Sequence, residues 1–287
     1  MILVTGAAGK TGRAVITALA AKGAPVRAFV RSAAYTPALK MIGAAEITVG
    51  AFDDAAALKS AAAGVTAIYH ICPNVSRDEV PYARNVIAAA KAQGVARFVF
   101  HSVLHPQIEA MPHHWEKMWV EEMLFASGLQ FTILQPTAYM QNILVVWRAI
   151  TEQGVFRVPY PVETRLSLVD LDDVAAAAAL VLTDASHAGA TYELVGTPPL
   201  SQLEVAAAIS TALGREVRAE AETIDAWEAR ARAGGMADYE RATLAAMFRY
   251  YADYGLVGNP NTLRWLIDRA PTDLADFLRR AVASSET

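Results

Sequence analysis

A glycine-rich turn near the N-terminus constrains the fold more than any other feature of this 287-residue chain. The apolar run Ile2-Leu3-Val4 leads into Gly6-Ala7-Ala8-Gly9-Lys10-Thr11-Gly12, and a helical pattern follows. Glycines at this spacing permit a tight turn and let the backbone approach a pyrophosphate, while the helix N-terminus offers N–H groups to the phosphates. The pattern predicts a dinucleotide-binding βαβ unit in which the nucleotide contacts Gly6, Ala8, Gly9, Lys10, Thr11 and Gly12.

Short apolar segments alternate with helical segments through the first half of the chain. Strands are predicted at about 2–4, 26–30, 47–49, 66–69, 98–100 and 131–134. Helices are predicted at about 10–22, 35–43, 54–63, 78–93 and 113–127, each closed by a glycine: Gly23, Gly43, Gly64, Gly94 and Gly128. This alternation predicts an α/β fold with a doubly wound parallel Rossmann sheet.

The alternation loosens after about residue 136. We predict a Rossmann domain over 1–155, with a return segment near 165–185 in which one strand and one helix rejoin the main sheet. A smaller, interleaved, α-rich substrate lobe is predicted over 186–287. Within it, the aromatic-rich segment 226–254 is expected to be helical, and its Gly234-Gly235 pair permits hinge motion.

Composition excludes several classes of protein. The chain has 29 Asp and Glu and 25 Lys and Arg, which gives a formal charge of −4. No segment concentrates basic residues, so no nucleic-acid partner is expected. The single cysteine, Cys72, permits no intrachain disulfide, and no metal-ligand spacing is present, so no metal is expected. The longest apolar run, 174–182, is too short to cross a bilayer, and no basic leader is seen. We therefore expect a cytoplasmic protein without a membrane partner.

The residues after the second predicted strand bear on the choice of nucleotide. An NAD-binding fold usually places an acid about 20 residues beyond the glycine turn, whereas this chain has Arg31-Ser32. A guanidinium suits a 2′-phosphate, and Lys10 adds a second charge. NADP(H) is therefore favoured over NAD(H); the alternative is that Arg31 and Lys10 are ordinary surface cations.

Three later strand ends supply further candidate cofactor contacts. Phe52 and Asp53 follow the third strand, where adenine is expected, although an aspartate there is equally explained as a helix cap. Cys72 follows the fourth strand along the path toward nicotinamide, and we expect it to be a small apolar filler rather than a nucleophile. Pro136 follows the sixth strand in a segment, 135–142, that is expected near nicotinamide; Tyr139 there either walls the pocket or supplies a phenol.

The chain resembles the NmrA-like branch of the atypical short-chain dehydrogenases/reductases. The resemblance covers most of the first 185 residues. It rests on the glycine turn, His101-Ser102-Val103, His114-Trp115-Glu116-Lys117 continuing to Val120-Glu121-Glu122, the segment 127–136, Asn142 and the segment 169–174. It implies NADP(H) binding and a substrate cleft between the Rossmann core and the C-terminal lobe. It also implies either a reductase of quinones, carbonyls or activated double bonds, or a non-catalytic sensor of the nucleotide pool.

The same resemblance indicates catalytic candidates. Short-chain reductases pair a serine after the fifth strand with a Tyr-x-x-x-Lys on the next helix; here Ser102 and Lys117 hold two of these places and His113 holds the tyrosine place. Ser102 would hydrogen-bond the substrate oxygen, Lys117 would hold the nicotinamide ribose, and His113 would be the acid. Each residue also has a non-catalytic explanation: His113 faces water at a polar helix start, Lys117 is an exposed helical cation, and Ser102 is a hydroxyl at a strand end. The missing tyrosine argues against a sugar-nucleotide epimerase.

Two functions follow from these observations. The first is an NADPH-dependent reductase that transfers hydride to a quinone, carbonyl or activated double bond of a small apolar or aromatic substrate, with Trp147, Phe156 and Tyr160 as an apolar rim. The second is a non-catalytic NADP(H) redox sensor that acts through a protein partner. The oligomeric state stays open, with a homodimer among the alternatives.

Overall fold

A seven-stranded sheet is the centre of the first of two units in the computed structural model, which describes residues 1–285. This first unit contains residues 1–108, 113–135 and 174–192. The second unit contains residues 109–112, 136–173 and those from 193 onward. Both units are therefore built from segments that are discontinuous in the sequence.

The described residues form strands and helices in the following order. The strands are β1 (Ile2–Val4), β2 (Val26–Val30), β3 (Ala44–Val49), β4 (Ala67–His70), β5 (Arg97–His101), β6 (Phe131–Pro136), β7 (Ala138–Tyr139), β8 (Val155–Val158), β9 (Arg165–Leu166), β10 (Leu168–Val169), β11 (Thr191–Leu194), β12 (Leu200–Ser201) and β13 (Arg218–Ala221). The α-helices are α1 (Lys10–Ala21), α2 (Thr36–Met41), α3 (Ala55–Ala62), α4 (Glu79–Ala92), α5 (Pro112–Phe125), α6 (Trp147–Gln153), α7 (Leu171–Thr183), α8 (Gln202–Leu213), α9 (Ile224–Ala233), α10 (Asp238–Tyr254), α11 (Asn261–Ile267) and α12 (Leu274–Ser285). Short 3₁₀ helices lie at Ala33–Tyr35, Met140–Val146 and Ala185–His187.

The strand order of the main sheet is β11-β6-β5-β4-β1-β2-β3. Strand β1 lies between β2 and β4 and is parallel to both, with Ile2 opposite Val26 and Ala67. The chain therefore reverses its direction of winding between β1 and β4, which makes their carboxyl ends the topological switch point of the sheet. Open α/β sheets bind their ligands at this point, and the glycine turn follows β1 directly.

The predicted α/β class, with a parallel Rossmann sheet, is confirmed. All six predicted strands are present, and the five glycines that were predicted to close helices have φ between +63° and +102°. A left-handed residue after a helix satisfies its last carbonyls, and glycine adopts that conformation without strain. Helices α9 and α10 confirm the helical prediction for the aromatic-rich segment.

The prediction that a strand near 165–170 rejoins the main sheet was wrong. Strand β9 pairs with β12 and strand β10 pairs with β7, both in separate two-stranded sheets. Strand β11 instead takes the sheet edge beside β6, where the N–H of Ile133 donates to Ala190 and that of Thr137 donates to Leu194. The apolar pattern indicated a strand correctly, but the choice of partner depends on long-range packing.

Buried carboxylates organise the second unit. Asp170 and Asp173 are fully buried. Asp170 accepts hydrogen bonds from Gln141 and Arg280, and it caps the start of α7. Arg269 forms an ion pair with Asp173 at 2.5 Å. These contacts fix α12 and the segment before it to the N-terminus of α7.

No helix within residues 1–285 is long and apolar enough to span a bilayer. The same residues contain no group of three or more His, Cys, Asp or Glu side chains arranged to hold a metal ion.

Candidate functional site

The glycine turn after β1 is shaped partly by internal packing. Gly6 has φ +58°, and a Cβ atom there would lie 2.7 Å from the Ile71 side chain. A Cβ at Gly12 would lie 2.4 Å from the carbonyl oxygen of Gly6. Both positions therefore require glycine for the fold itself.

Gly9 differs from the other two glycines of the turn. A Cβ there would approach only the Gly6 carbonyl, at 3.4 Å, so packing does not require glycine at this position. Gly9 is the N-cap of α1 and provides no side-chain cap, and the first turn of α1 contains no acid. The first N–H groups of a helix have no intrahelical acceptor and attract anions. The space beside Gly9 and the helix N-terminus together fit a pyrophosphate.

A hydrogen-bonded pair joins the ends of β1 and β4 beside this turn. The hydroxyl oxygen of Thr5 lies 3.0 Å from Nδ1 of His70 and accepts the N–H of Ile71 at 3.1 Å. His70 is fully buried, and its Nε2 has no hydrogen-bond partner among residues 1–285. An unpaired buried N–H is rarer than an unpaired acceptor, so we assign the proton to Nδ1, which donates to Thr5. Burial lowers the pKa of His70 to about 3, with a further contribution from Lys117.

The predicted contacts to ribose and adenine lie on the second and third βα junctions. Arg31 is exposed directly after β2, and the hydroxyl of Ser32 accepts the N–H of Ala34. Phe52 is buried, and its ring stacks on Tyr82 with centroids 5.2 Å apart. Asp53 is exposed.

Neighbouring residues explain two ambiguities in that region. Asp54, rather than Asp53, caps α3 by accepting the N–H groups of Ala56 and Ala57. Asp53 is therefore not needed as a helix cap. The Phe52 ring belongs to the hydrophobic core and its carbonyl accepts the side-chain amide of Asn85 at 2.9 Å, which leaves its backbone N–H as the group that can face a nucleotide.

Cys72 and Pro136 lie at the ends of two further strands. Cys72 is buried, and desolvation, reinforced by the neighbouring Glu79, raises the pKa of its thiol. A protonated, buried thiol is not a nucleophile, as expected from the sequence. Pro136 is buried and ends β6, where the chain passes into the second unit.

The three catalytic candidates all belong to the first unit, but they are held by different partners. Nζ of Lys117 donates to Oε1 of Glu79 across 2.8 Å and lies 5.4 Å from the centroid of the Phe100 ring. Ser102, only 2% exposed, donates its hydroxyl to Oε1 of Glu121. Lys117 is therefore ion-paired rather than free, and the Ser102 hydrogen is already used.

His113 is the third candidate, and it is not a water-facing group at a polar helix start. Its side chain is partly buried, and its Nδ1 is buried without a hydrogen-bond partner among residues 1–285. Its ring meets that of His114 edge to face, with centroids 4.5 Å apart. Burial, followed by repulsion from His114 and Lys117, lowers the pKa of His113 to about 2. The imidazole is therefore neutral at physiological pH.

Sequence analysis assigned no role to three polar residues that hold these candidates: Glu79, Glu121 and Gln135. The Gln135 side-chain amide donates to both oxygens of Glu121, at 2.9 and 3.1 Å. Burial raises the pKa of Glu121, and the hydrogen bonds from Ser102 and Gln135 oppose that rise. Glu121 lies four residues after Lys117 on α5, so helical spacing was an available signal for it. No local signal links Glu79 to Lys117, because they lie on different helices.

Comparisons with known proteins show the family of this chain. The chain is 33% identical to an NAD(P)H azoreductase of Xenophilus azovorans, over 99% of each chain. It is also 33% identical to quinone oxidoreductase 2 of Escherichia coli, over 96% of each chain. The solved structure of the Escherichia coli NADPH-dependent quinone oxidoreductase QOR2, complexed with NADPH, matches with a TM-score of 0.87 and 32% identity, covering 98% of this chain and 100% of that one. The NmrA-like family model matches residues 1–280, and the chain belongs to the NmrA-like family.

Proposed function

We propose that this protein is an NADPH-dependent reductase that transfers hydride to a quinone, a carbonyl or an activated double bond of a small apolar substrate. The observation that carries the proposal is the space beside Gly9, in front of the uncapped N-terminus of α1 and at the switch point of the sheet. The names of the two relatives matched over nearly their whole length support a reductase rather than a sensor.

The nucleotide is assigned to the glycine turn and to the strand ends that follow it. The residues proposed to hold it are Gly6, Ala8, Gly9, Lys10, Thr11, Gly12, Arg31, Ser32, the backbone of Phe52, Asp53, Cys72, Lys117 and Pro136. NADPH supplies the hydride when it is bound. Preference for the phosphorylated nucleotide is assigned to Arg31, which is exposed after β2 at the place where NAD-binding folds carry an acid.

In the proposed reaction, the protein contributes the positive charge of Lys117 and a neutral hydrogen-bond donor, His113. Lys117 provides the charge that stabilises negative charge developing on the substrate oxygen. We assign His113 the role of a neutral donor to that oxygen rather than an imidazolium acid, because its pKa of about 2 keeps the ring uncharged. Ser102 then acts by holding the end of β5 through Glu121, and water provides the final proton.

The domain division predicted from the sequence, with the C-terminal residues as a substrate lobe, is part of this proposal. An aromatic cluster in the second unit supports it: Tyr160 lies 6.0 Å from both Phe248 and Tyr251, measured between ring centroids. A cytoplasmic location and a homodimer stay predictions.

Calorimetric titration with NADPH, NADH, NADP and NAD tests the cofactor assignment. We expect the phosphorylated pair to bind at least about tenfold more tightly, which corresponds to about 1.4 kcal/mol. Arg31→Ala should remove that difference while leaving NADH affinity unchanged. If none of the four nucleotides bound, the cofactor assignment would be refuted.

Oxidation of NADPH in the presence of a naphthoquinone, an azo dye or an enone tests the reaction. Tight nucleotide binding without turnover of any acceptor class would favour the sensor. For His113, the matched pair is His113→Gln, which keeps an N–H donor, and His113→Phe, which does not. We expect His113→Phe to lose turnover and His113→Gln to retain part of it, with NADPH affinity nearly unchanged in both. Equal turnover in both variants would contradict the donor role.

A further inference from the structure

The ammonium of Lys117 contacts a buried carboxylate from a neighbouring helix. Glu79 and Lys117 form an ion pair of 2.8 Å in which their side chains are only 4% and 15% exposed. Glu79 belongs to the first turn of α4, where the helix N-terminus stabilises a negative charge. The pair therefore links a helix terminus, which holds the anion, to the middle of α5, which carries the cation.

The other groups around Lys117 do not offer it a comparable counter-charge. The titratable groups that interact with it are His70 of β4, His101 of β5, Cys72 after β4, and His113, His114 and Glu121 of α5 itself. Burial lowers the pKa of each of these histidines to about 4 or below, so they are neutral. Glu121 also attracts Lys117 electrostatically, but its carboxylate is hydrogen-bonded to Ser102 and Gln135. Within residues 1–285, the carboxylate in direct contact with Lys117 is that of Glu79.

We propose that Glu79 is a positioning residue that fixes the place and the charge of Lys117. Its effect on turnover rests on the proposed function, whereas its effect on the lysine itself does not. Without Glu79, this nearly buried ammonium loses the carboxylate in contact with it, and an ammonium with less opposite charge nearby loses its proton at a lower pH. Above that pH, Lys117 is neutral and no longer stabilises negative charge on the substrate.

The reactivity of Lys117 tests this inference without any turnover. Ligand-free protein is pulsed with acetic anhydride between pH 6 and 11, and acetylation of Lys117 is quantified by peptide mass spectrometry. Glu79→Gln, which preserves the shape of the side chain, should move the midpoint of reactivity to lower pH by at least about one unit. The matched control is Glu122→Gln on the exposed face of α5, and its midpoint should equal that of the wild type. An unchanged midpoint in Glu79→Gln would overturn the inference.

The pH profile of turnover provides the second readout. In Glu79→Gln we expect kcat to fall by about 10- to 100-fold near pH 9 and by much less near pH 6, with NADPH affinity within about threefold of the wild type. Glu79→Asp should restore part of the loss. In a Lys117→Met background, Glu79→Gln should add almost nothing, because the two changes remove one interaction.

A purely structural role gives a different pattern. Equal losses at every pH and in both backgrounds would overturn the positioning role. A wild type that turns over no acceptor would instead refute the proposed function, and the inference would then be decided by the reactivity of Lys117.

Discussion

Acidification should destabilise this protein well above the pH at which carboxylates become protonated. Four histidines of the first unit, His70, His101, His113 and His114, have pKa values lowered to about 3, 3, 2 and 4, mainly by burial. In the unfolded chain each titrates near its ordinary pKa of about 6.5. The unfolded state therefore binds more protons below that pH, and the free energy of unfolding falls as the pH falls.

The size of this loss in stability depends little on the folded pKa values, because all four lie below the pH range from 7.5 to 5.5 in which it is measured. Between pH 7.5 and 5.5, each histidine costs roughly 1.4 kcal/mol, from RT ln(1 + 10) at the lower pH. The pKa values of Glu121 and Asp172 are raised by burial, which opposes this loss. Four histidines together would cost roughly 5.5 kcal/mol, and we expect a net loss below that figure but still a large share of a typical stability of about 5–15 kcal/mol.

Urea unfolding at pH 7.5, 6.5 and 5.5 measures this loss directly. The slope of the free energy of unfolding against pH gives the protons taken up on unfolding, and it should approach about three to four near pH 5.5. His114→Gln should remove about one proton from that slope, because burial lowers the pKa of this histidine to about 4. A total change below about 1 kcal/mol would mean that the buried imidazoles accept protons in the folded state, and it would refute the reasoning.

Three further predictions concern packing and buried hydrogen bonds. Asp170→Ala removes a fully buried carboxylate that binds Gln141 and Arg280. Urea unfolding should show that the free energy of unfolding falls by about 2–3 kcal/mol. The control Glu152→Ala breaks an exposed ion pair and should change the free energy of unfolding by less than about 0.5 kcal/mol. Gly12→Ala forces a Cβ against the Gly6 carbonyl and should lower the free energy of unfolding by about 2 kcal/mol or more. Gly9→Ala should change the free energy of unfolding by no more than about 1 kcal/mol. Calorimetry should instead show that Gly9→Ala weakens NADPH binding at least about tenfold. Unimpaired NADPH binding in Gly9→Ala would contradict the assignment of the phosphates. Ser102→Ala removes one donor from Glu121 and should cost about 1–3 kcal/mol; no loss would mean that the Glu121 carboxylate is not held by that hydroxyl.

Much of the Rossmann unit could be predicted from the sequence because its signals are local. Apolar runs of three to five residues and glycines after helices depend on the conformation of each segment alone. The glycine turn could be interpreted in the same way, because its spacing specifies a turn and a helix start. The strand near 165–170 was assigned to the wrong sheet because its two short pieces carry no information about their partners.

For the catalytic candidates, the sequence likewise indicated the residues but not their partners in the folded protein. The family resemblance indicated Ser102 and Lys117 as candidates, but it did not show that each is bound by a buried glutamate. The neutral state of His113 was equally hidden, because the pKa depends on burial among side chains far apart in the sequence.

The sequence by itself therefore determined the Rossmann sheet, the glycine turn and the absence of an acid at the position of Arg31. Each of these is a property of backbone conformation or residue identity within one short segment. Only the tertiary structure decided that Glu79 meets Lys117 and that Glu121 meets Ser102. It also decided that four histidines are kept neutral, since desolvation and ion pairing arise only when separate helices and strands pack together.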